Sequence, residues 1–448
     1  MHEKFHYKTL EELQSRASEL GFSLPFAADT HVLAEPLSAG TITFSNRLGS
    51  APMEGADALE DGSPSEYTVR RYVNDAAGGS AVIWFEAISI VEEGRSSKTQ
   101  LLLSRSNLDA YKRLTDAVHQ AGLQKNGFAP FLIMQANHSG RYSNPDNKPA
   151  PMIAYRHPWL EQFRSADDSC IVTDDYLRRL EDKFGEAAAL ARDAGFDAVD
   201  IKSCHGYLLA ELSSAYTRPG PYGGSFENRT RLLRNGILAA LPYETESFKV
   251  TSRLGIYDGY PYPYGFGVSE GTGLEPVLEE PIFLVRWMHE QGIRFVNLTM
   301  GNPYATTHVT RPFDAGKYVP DEHPLAGIHR MITGIGAVKK AVPEMVILAS
   351  APTYLRQFSD LYSAGAVEAG LCDGMLFGRM AFADPDFANE ILAGRIDPKR
   401  VCMTCGKCGD LIRAHKPTGC VVRDPKVFLP FYREYQATLA SLPANFRG

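Results

Sequence analysis

Short apolar runs recur along this chain at intervals that suit one architecture. After an amphipathic opening segment, with Leu10, Leu13, Ala17 and Leu20 at helical spacing, eight runs read as buried parallel strands. They are NRLGSAPM (46–53), SAVIWFEAI (80–88), FAPFLIMQA (128–136), FDAVDIK (196–202), FKVTSRL (248–254), IRFVNLT (293–299), EMVILAS (344–350) and DGMLFGR (373–379). Near-continuous apolarity, rather than strict alternation, is what a strand covered on both faces requires. Helical patterns lie between the runs. Residues 181–195 turn Phe184, Ala188, Leu190 and Ala191 inward, and residues 279–292 set Leu284, Val285 and Met288 on one face. Eight β-then-α units predict an α/β fold of the (β/α)8 TIM-barrel type. The alternative, an open doubly wound sheet, usually carries a GxGxxG turn after its first strand. The nearest match, GIGAVK at 334–339, lacks the third glycine and falls inside a helical pattern.

Composition narrows the class without changing it. The chain has 448 residues, 44% hydrophobic, with 46 Lys and Arg against 53 Asp and Glu, a net charge of −7. Mild acidity disfavours nucleic acid or an anionic membrane as the main partner. No apolar run reaches the roughly 20 residues that span a bilayer, and MHEKFHYKTLEELQSR lacks the apolar core of a secretory signal. The expectation is a cytoplasmic protein. Seven cysteines are too few for a disulfide scaffold, but Cys402, Cys405, Cys408 and Cys420 crowd together near the C-terminus, which in a reducing compartment suggests a metal or cofactor.

In a barrel, chemistry belongs where strands end and βα loops begin. Those positions carry Met53 and Glu54, Glu86, Gln135, Lys202 through Tyr207, Arg253, Met300, Ser350, Gly378 and Arg379. Two long loops, 137–173 and 255–278, are candidate lids or substrate walls. The most specific local signal is IKSCHGYLLAELSSAYTRPGPYGGSFENRTRLLR (201–234). It sets Lys202, His205 and Tyr207 together at the tip of the fourth strand: a cation, a switchable donor and a phenol able to deliver a proton.

With HGYL, YGGS and ENRTR this segment resembles the old yellow enzyme family of FMN-dependent reductases. The resemblance continues through NRLGSAPMEG (46–55), GGSAVIWFEAISIVEEGR (78–95) and QANHSGR (135–141). It implies a flavin lying against Pro52, Met53 and Glu54 at the first strand end, with Ala87 beside it. It implies further that Gln135 contacts the flavin ring and that Arg253 lies at its N1–C2=O edge. Gly378 and Arg379 fall where the family holds the phosphate, a placement that also suits the loops after strands 7 and 8 of (β/α)8 enzymes. One departure stands out. The family usually shows a Gly-x-Gly type turn after strand 7, whereas this chain reads LASAPTYL (348–355), where the backbone amides of Ser350 and Ala351 could still donate to the phosphate. Lys202 stands where the simplest reductases have histidine. It would stabilise an enolate or a substrate carboxylate, or balance the charge of the reduced flavin. His138 and Arg141 of HSGR read as pocket-shaping or structural groups. Tyr304, His308 and Arg311, after the sixth strand, are candidate substrate contacts.

CMTCGKC, followed by eleven residues and Cys420, presents three thiolates from one tight loop and a distant fourth. The spacing suits a [4Fe–4S] cluster; zinc, which more often uses two separated Cys-x2-Cys pairs, is the alternative. A cluster directly after the barrel resembles the iron–sulfur branch of the same superfamily, the 2,4-dienoyl-CoA reductases and trimethylamine dehydrogenases. In that branch a dinucleotide-binding module normally follows; only 28 residues follow Cys420 here, fewer than the roughly 30 of a single βαβ unit. They read as one helix packed through Phe431, Tyr435 and Leu439.

The division expected is a barrel over 1–395 and an iron–sulfur extension over 396–448. The expected activity is reduction of a C=C bond conjugated to a carbonyl, with FMN N5 giving hydride, His205 and Lys202 holding the carbonyl oxygen and Tyr207 giving the proton. The expected substrate is an enone or enoate, and the aromatic loop 257–267 would suit a large apolar one. The reductant is NAD(P)H or a separate electron-donor protein, and a homo-oligomer stays open. The alternatives are an amine or ketone dehydrogenase or demethylase, and an electron-transfer flavoprotein subunit.

Overall fold

The computed structural model describes residues 3–271, 274–314, 316 and 318–441. All eight apolar runs become strands of one parallel sheet. They are β1 (Leu48–Ser50), β2 (Val82–Ser89), β3 (Phe131–Asn137), β4 (Ala198–Ile201), β5 in two halves (Lys249–Thr251 and Arg253–Gly255), β6 (Phe295–Thr299), β7 (Val346–Ala349) and β8 (Gly374–Phe377). Each pairs with the next, and β8 returns to β1 with Met375 opposite Leu48. The fifth strand closes the ring by breaking at Ser252. Its first half pairs with β4, Lys249 opposite Ala198, and its second with β6, Arg253 opposite Asn297. The sheet is therefore a closed barrel, as the β-then-α alternation predicts.

Alternate residues of the strands serve two cores. Val82 and Trp84 point into the barrel with Ile133, Phe295 and Leu348, while Ile83 and Phe85 join the layer between strands and helices. Both faces are covered, so β2 is buried at all eight positions. An antiparallel hairpin, Leu37–Ala39 with Ile42–Phe44, plugs the N-terminal end of the barrel, where the Phe44 ring meets Phe131 and Phe295 edge-on.

Outside the sheet run α1 (Leu10–Glu19), α2 (Glu66–Ala77), α3 (Leu108–Asn126), α4 (Asp174–Asp193), α5 (Arg231–Ala240), α6 (Glu279–Glu290), α7 (Pro324–Ala341) and α8 (Ser359–Glu368). Local chemistry sets their ends: Ser65 and Thr68 form a capping box before α2, and Thr173 caps α4. The helix predicted over 181–195 starts a full two turns earlier because of that cap. GIGAVK lies inside α7, where Gly336 makes room for Leu371.

Beyond β8 the cysteine-bearing segment carries α9 (Lys407–Arg413) and α10 (Pro425–Ser441), joined by a small core of Leu411, Val421 and Phe428. The last helix is anchored by buried Phe428, with Phe431 edge-on to Tyr67 and the predicted Phe431, Tyr435 and Leu439 all partly buried. Its predicted continuation over 442–448 lies outside the described residues. The segment is fastened across the barrel mouth: the Thr418 amide donates to the Gly55 carbonyl at 2.8 Å, Arg71 donates to the Thr418 carbonyl, and Arg70 pairs with Asp424. Among the described residues no helix is long and apolar enough to cross a membrane.

Candidate functional site

A cavity of about 200 Å³ lies between the C-terminal ends of the strands and α9. Every strand-end residue expected to touch a flavin lines it: Pro52, Met53 and Glu54 after β1, Ala87 in β2, Gln135 in β3, Arg253 in β5, Ser350 and Ala351 after β7, Gly378 and Arg379 after β8. Lys202, His205 and Tyr207 line it from β4, and Tyr304 and Arg311 from the loop after β6. His308 does not. Its Nδ1 lies 2.8 Å from the Tyr318 hydroxyl, with Glu322 4.0 Å from Nε2.

One buried carboxylate organises much of this wall. Asp200, in β4, accepts from Trp84 Nε1 and Gln135 Nε2, each at 2.7 Å, and from the Arg253 amide at 2.6 Å. Holding the Gln135 NH2 group leaves its carbonyl oxygen as the remaining polar atom of that side chain. Burial lifts the Asp200 carboxyl to about 6. Sequence reasoning passed over Asp200, although an acid inside an otherwise apolar strand was a signal.

At the β4 tip two successive left-handed residues, His205 (φ 67°) and Gly206 (φ 69°), turn the chain so that Lys202, His205 and Tyr207 face one cavity. A Cβ on Gly206 would lie 2.0 Å from Asn302 Nδ2. Lys202 is buried with its Nζ 4.0 Å from the centre of the Tyr207 ring, a cation–π contact. Burial, with Arg253 nearby, lowers its ammonium to about 8. His205 is pushed well below the usual imidazole range by burial and by Arg253 and Lys202, so it is neutral; its Nε2 lies 3.5 Å from the Thr299 hydroxyl.

The Tyr207 hydroxyl lies 2.7 Å from that of Tyr304. Burial raises both phenols, Tyr304 to about 12, so each keeps its proton at neutral pH. The Tyr304 ring stacks on Tyr142 at 3.8 Å, and Asn302 donates to the Tyr142 hydroxyl at 3.0 Å. Tyr142 and Asn302 were missed because nothing local marks them; the contact joins the loops after β3 and β6.

Glu54 is held well above the usual carboxylate range by burial and by nearby Glu86, and its Oε1 has no partner among the described residues. Its protonated form is favoured. Glu86 itself is structural. It accepts from the Gly55 amide, Arg71 and the Tyr72 hydroxyl, and so fixes the loop after β1. After β7, Ala351 adopts φ 71°, the left-handed conformation that the missing glycine would take at less cost. Elsewhere, His138 is buried and bonded to the Tyr176 hydroxyl, and Arg141 pairs with buried Glu211; both are structural.

Cys402, Cys405, Cys408 and Cys420 line one small cavity with Arg379, Lys407 and Arg423. Backbone amides approach two of the sulfurs, Thr404 N to Cys402 at 3.4 Å and Arg423 N to Cys420 at 3.3 Å. Among the described residues no group of three or more His, Cys, Asp or Glu is placed to hold a metal ion.

A (β/α)8 barrel with a buried polar cavity at its C-terminal mouth defines a class of enzyme-like architecture. Comparison with known proteins makes it specific: the model of the NADH:flavin oxidoreductase / NADH oxidase family matches residues 32–317. The chain belongs to that family of flavin-dependent oxidoreductases. It is 25% identical over 374 residues to an NADH oxidase of Thermoanaerobacter brockii, across 82% of this chain and 51% of the relative. It is 28% identical over 273 residues to an NADPH dehydrogenase of Bacillus velezensis, across 60% of this chain and 73% of that one. A solved 2-naphthoyl-CoA reductase complex shares the fold with a TM-score of 0.72 at 20% identity, across 93% of this chain and 59% of that chain. The chain thus spans about half the length of the NADH oxidase.

Proposed function

We propose that the protein is an FMN- and iron–sulfur-dependent ene-reductase acting on a C=C bond conjugated to a carbonyl. The observation that carries this reading is the convergence of Lys202, neutral His205 and the Tyr207 hydroxyl on one cavity whose other walls suit a flavin. The fit rests on buried groups that lack acceptors among the described residues, Arg253 Nε and Arg379 Nη1. An anionic cofactor with many acceptor atoms would satisfy them. Arg379 and the amides of Ser350, Ala351 and Gly378 would hold the phosphate. Gln135 and Arg253 would hold the ring against Pro52, Met53, Glu54 and Ala87. When bound, FMN supplies a hydride to the β-carbon. His205 donates to the carbonyl oxygen, and Lys202 adds positive charge as enolate character develops. Tyr207 gives its proton to the α-carbon, and its 2.7 Å partner Tyr304 holds that hydroxyl in place.

Although their sulfurs are not gathered into a ligand set, the spacing of Cys402, Cys405, Cys408 and Cys420, their shared lining of one small cavity and the amides directed at two of the sulfurs support a [4Fe–4S] cluster held by these four residues. Bound there, such a cluster would supply single-electron chemistry, and Cys408, which lines both cavities, would hold it beside the flavin site. NAD(P)H is the reductant the family supports.

Anaerobic stopped-flow spectroscopy of the holoenzyme tests the reading. Tyr207→Phe should slow reoxidation of the reduced flavin by an enone by about 10²–10⁴-fold while leaving its reduction by NAD(P)H close to wild type. Equal loss of both half-reactions would overturn the assignment of Tyr207. Bleaching of the oxidised flavin by an amine, with no response to any enone, would overturn the ene-reductase reading itself.

A further inference from the structure

A second, larger chamber of about 740 Å³, inside the size range of small-molecule sites, adjoins the inner cavity. Glu54, Pro303, Tyr304, Arg311, Ile412 and Arg413 stand in the walls of both. A molecule reaching the Tyr207 hydroxyl from this side therefore has the outer chamber around its far end.

Three arginines from three separate parts of the chain line that chamber: Arg164 from the loop after β3, Arg311 from the loop after β6 and Arg413 from α9. Its carboxylates balance them only in part: Asp410 pairs with Arg413 at 2.5 Å, and burial with nearby Glu86 favours the protonated form of Glu54. Arg164 Nε and Nη2 are buried and donate to no acceptor among the described residues. Burial and the neighbouring Arg379 and Arg413 pull the Arg311 guanidinium down to about 10. Arg164 and Arg413 also act on the Tyr304 phenol, which places both cations near the hydroxyl pair. The chain as a whole carries −7, so this is a local charge set against the protein's own sign. Gathered, partly desolvated cations, with the Arg164 donors unfilled, cost free energy until an anion arrives. Phe163 and Phe313 supply apolar wall beside them.

We propose that the outer chamber binds an anionic group of the substrate, a carboxylate or a phosphate remote from the reacting double bond, through Arg164 and Arg413. An apolar body then bridges from these arginines to the Tyr207–Tyr304 pair. The inference rests on the ene-reductase reading for the reaction that follows, and on the chamber's charge alone for binding.

The test compares matched substrates on the holoenzyme: 4-carboxybenzylideneacetone, its methyl ester, and the phosphate monoester of 4-hydroxybenzylideneacetone. The charged compounds should show a KM at least about tenfold below the ester's, as charge-assisted bonds allow, and rising salt should erase the difference. Arg164→Gln and Arg413→Gln should each collapse the charged-over-neutral preference by about tenfold, while Arg164→Lys restores part of it. Preference for the acid or for the phosphate identifies which anion the chamber takes. Calorimetry of the saturated acid, 4-carboxybenzylacetone, with oxidised holoenzyme separates the two readings. Arginine-dependent binding without turnover of any enone upholds the chamber and removes the ene-reductase assignment. Turnover with no charge preference, or variants that weaken acid and ester alike, overturns the chamber.

Discussion

Lys202 is the cation whose ionisation burial has moved towards neutral pH. Burial disfavours its cation, so the ammonium is present below about pH 8 and lost above it. If that charge steadies the developing enolate, flavin reoxidation by an enone should fall as pH rises through about 8, and Lys202→Met should be slow and lack this inflection. Pre-steady-state rates from pH 6 to 10 check this; an unchanged inflection in Lys202→Met would assign it to another group. Gly206 makes a packing prediction. A methyl there meets Asn302 at 2.0 Å in a left-handed backbone, so Gly206→Ala should cost about 2–4 kcal/mol in urea unfolding. The cavity residues were legible as a set of strand ends. Their orientations were not, because Asp200, Asn302 and Tyr142 act across strands or loops distant in sequence.

At the scale of elements, the loop after β1 is held by a buried charge cluster, not by its own turn chemistry. Arg71, on α2, bonds Asp57 at 2.7 Å and Glu86 at 2.9 Å, all three nearly inaccessible, and reaches the Thr418 carbonyl of the cysteine segment. Arg71→Met leaves two buried carboxylates without their cation and should destabilise the fold by about 3–5 kcal/mol, seen as a lower denaturation midpoint. The loop after β7 shows the opposite economy. LASAPT stands where glycines were expected, and Ala351 adopts a left-handed turn there without one.

For the whole molecule, the cysteine segment is continuous with the site instead of appended to it, since Cys408 and Arg413 share the cavity with β-strand ends. Iron and sulfide analysis of anaerobically purified protein should find four of each per chain if the segment holds the proposed [4Fe–4S] cluster. Cys408→Ser should lose that iron and its visible absorption while retaining flavin. One zinc per chain instead would replace the cluster reading.

The barrel was determined by the sequence itself, because strands buried on both faces must be apolar at nearly every position and eight such runs alternate with helices. The cysteine spacing and the polar strand ends were equally local and equally readable. Tertiary structure alone decided the rest: that β5 breaks to close the ring, that His308 turns to Tyr318, and that Arg164, Arg311 and Arg413 meet in one chamber. Those outcomes depend on contacts between residues far apart in the chain. No window of sequence contains both partners, so only the folded backbone brings their charges and shapes together.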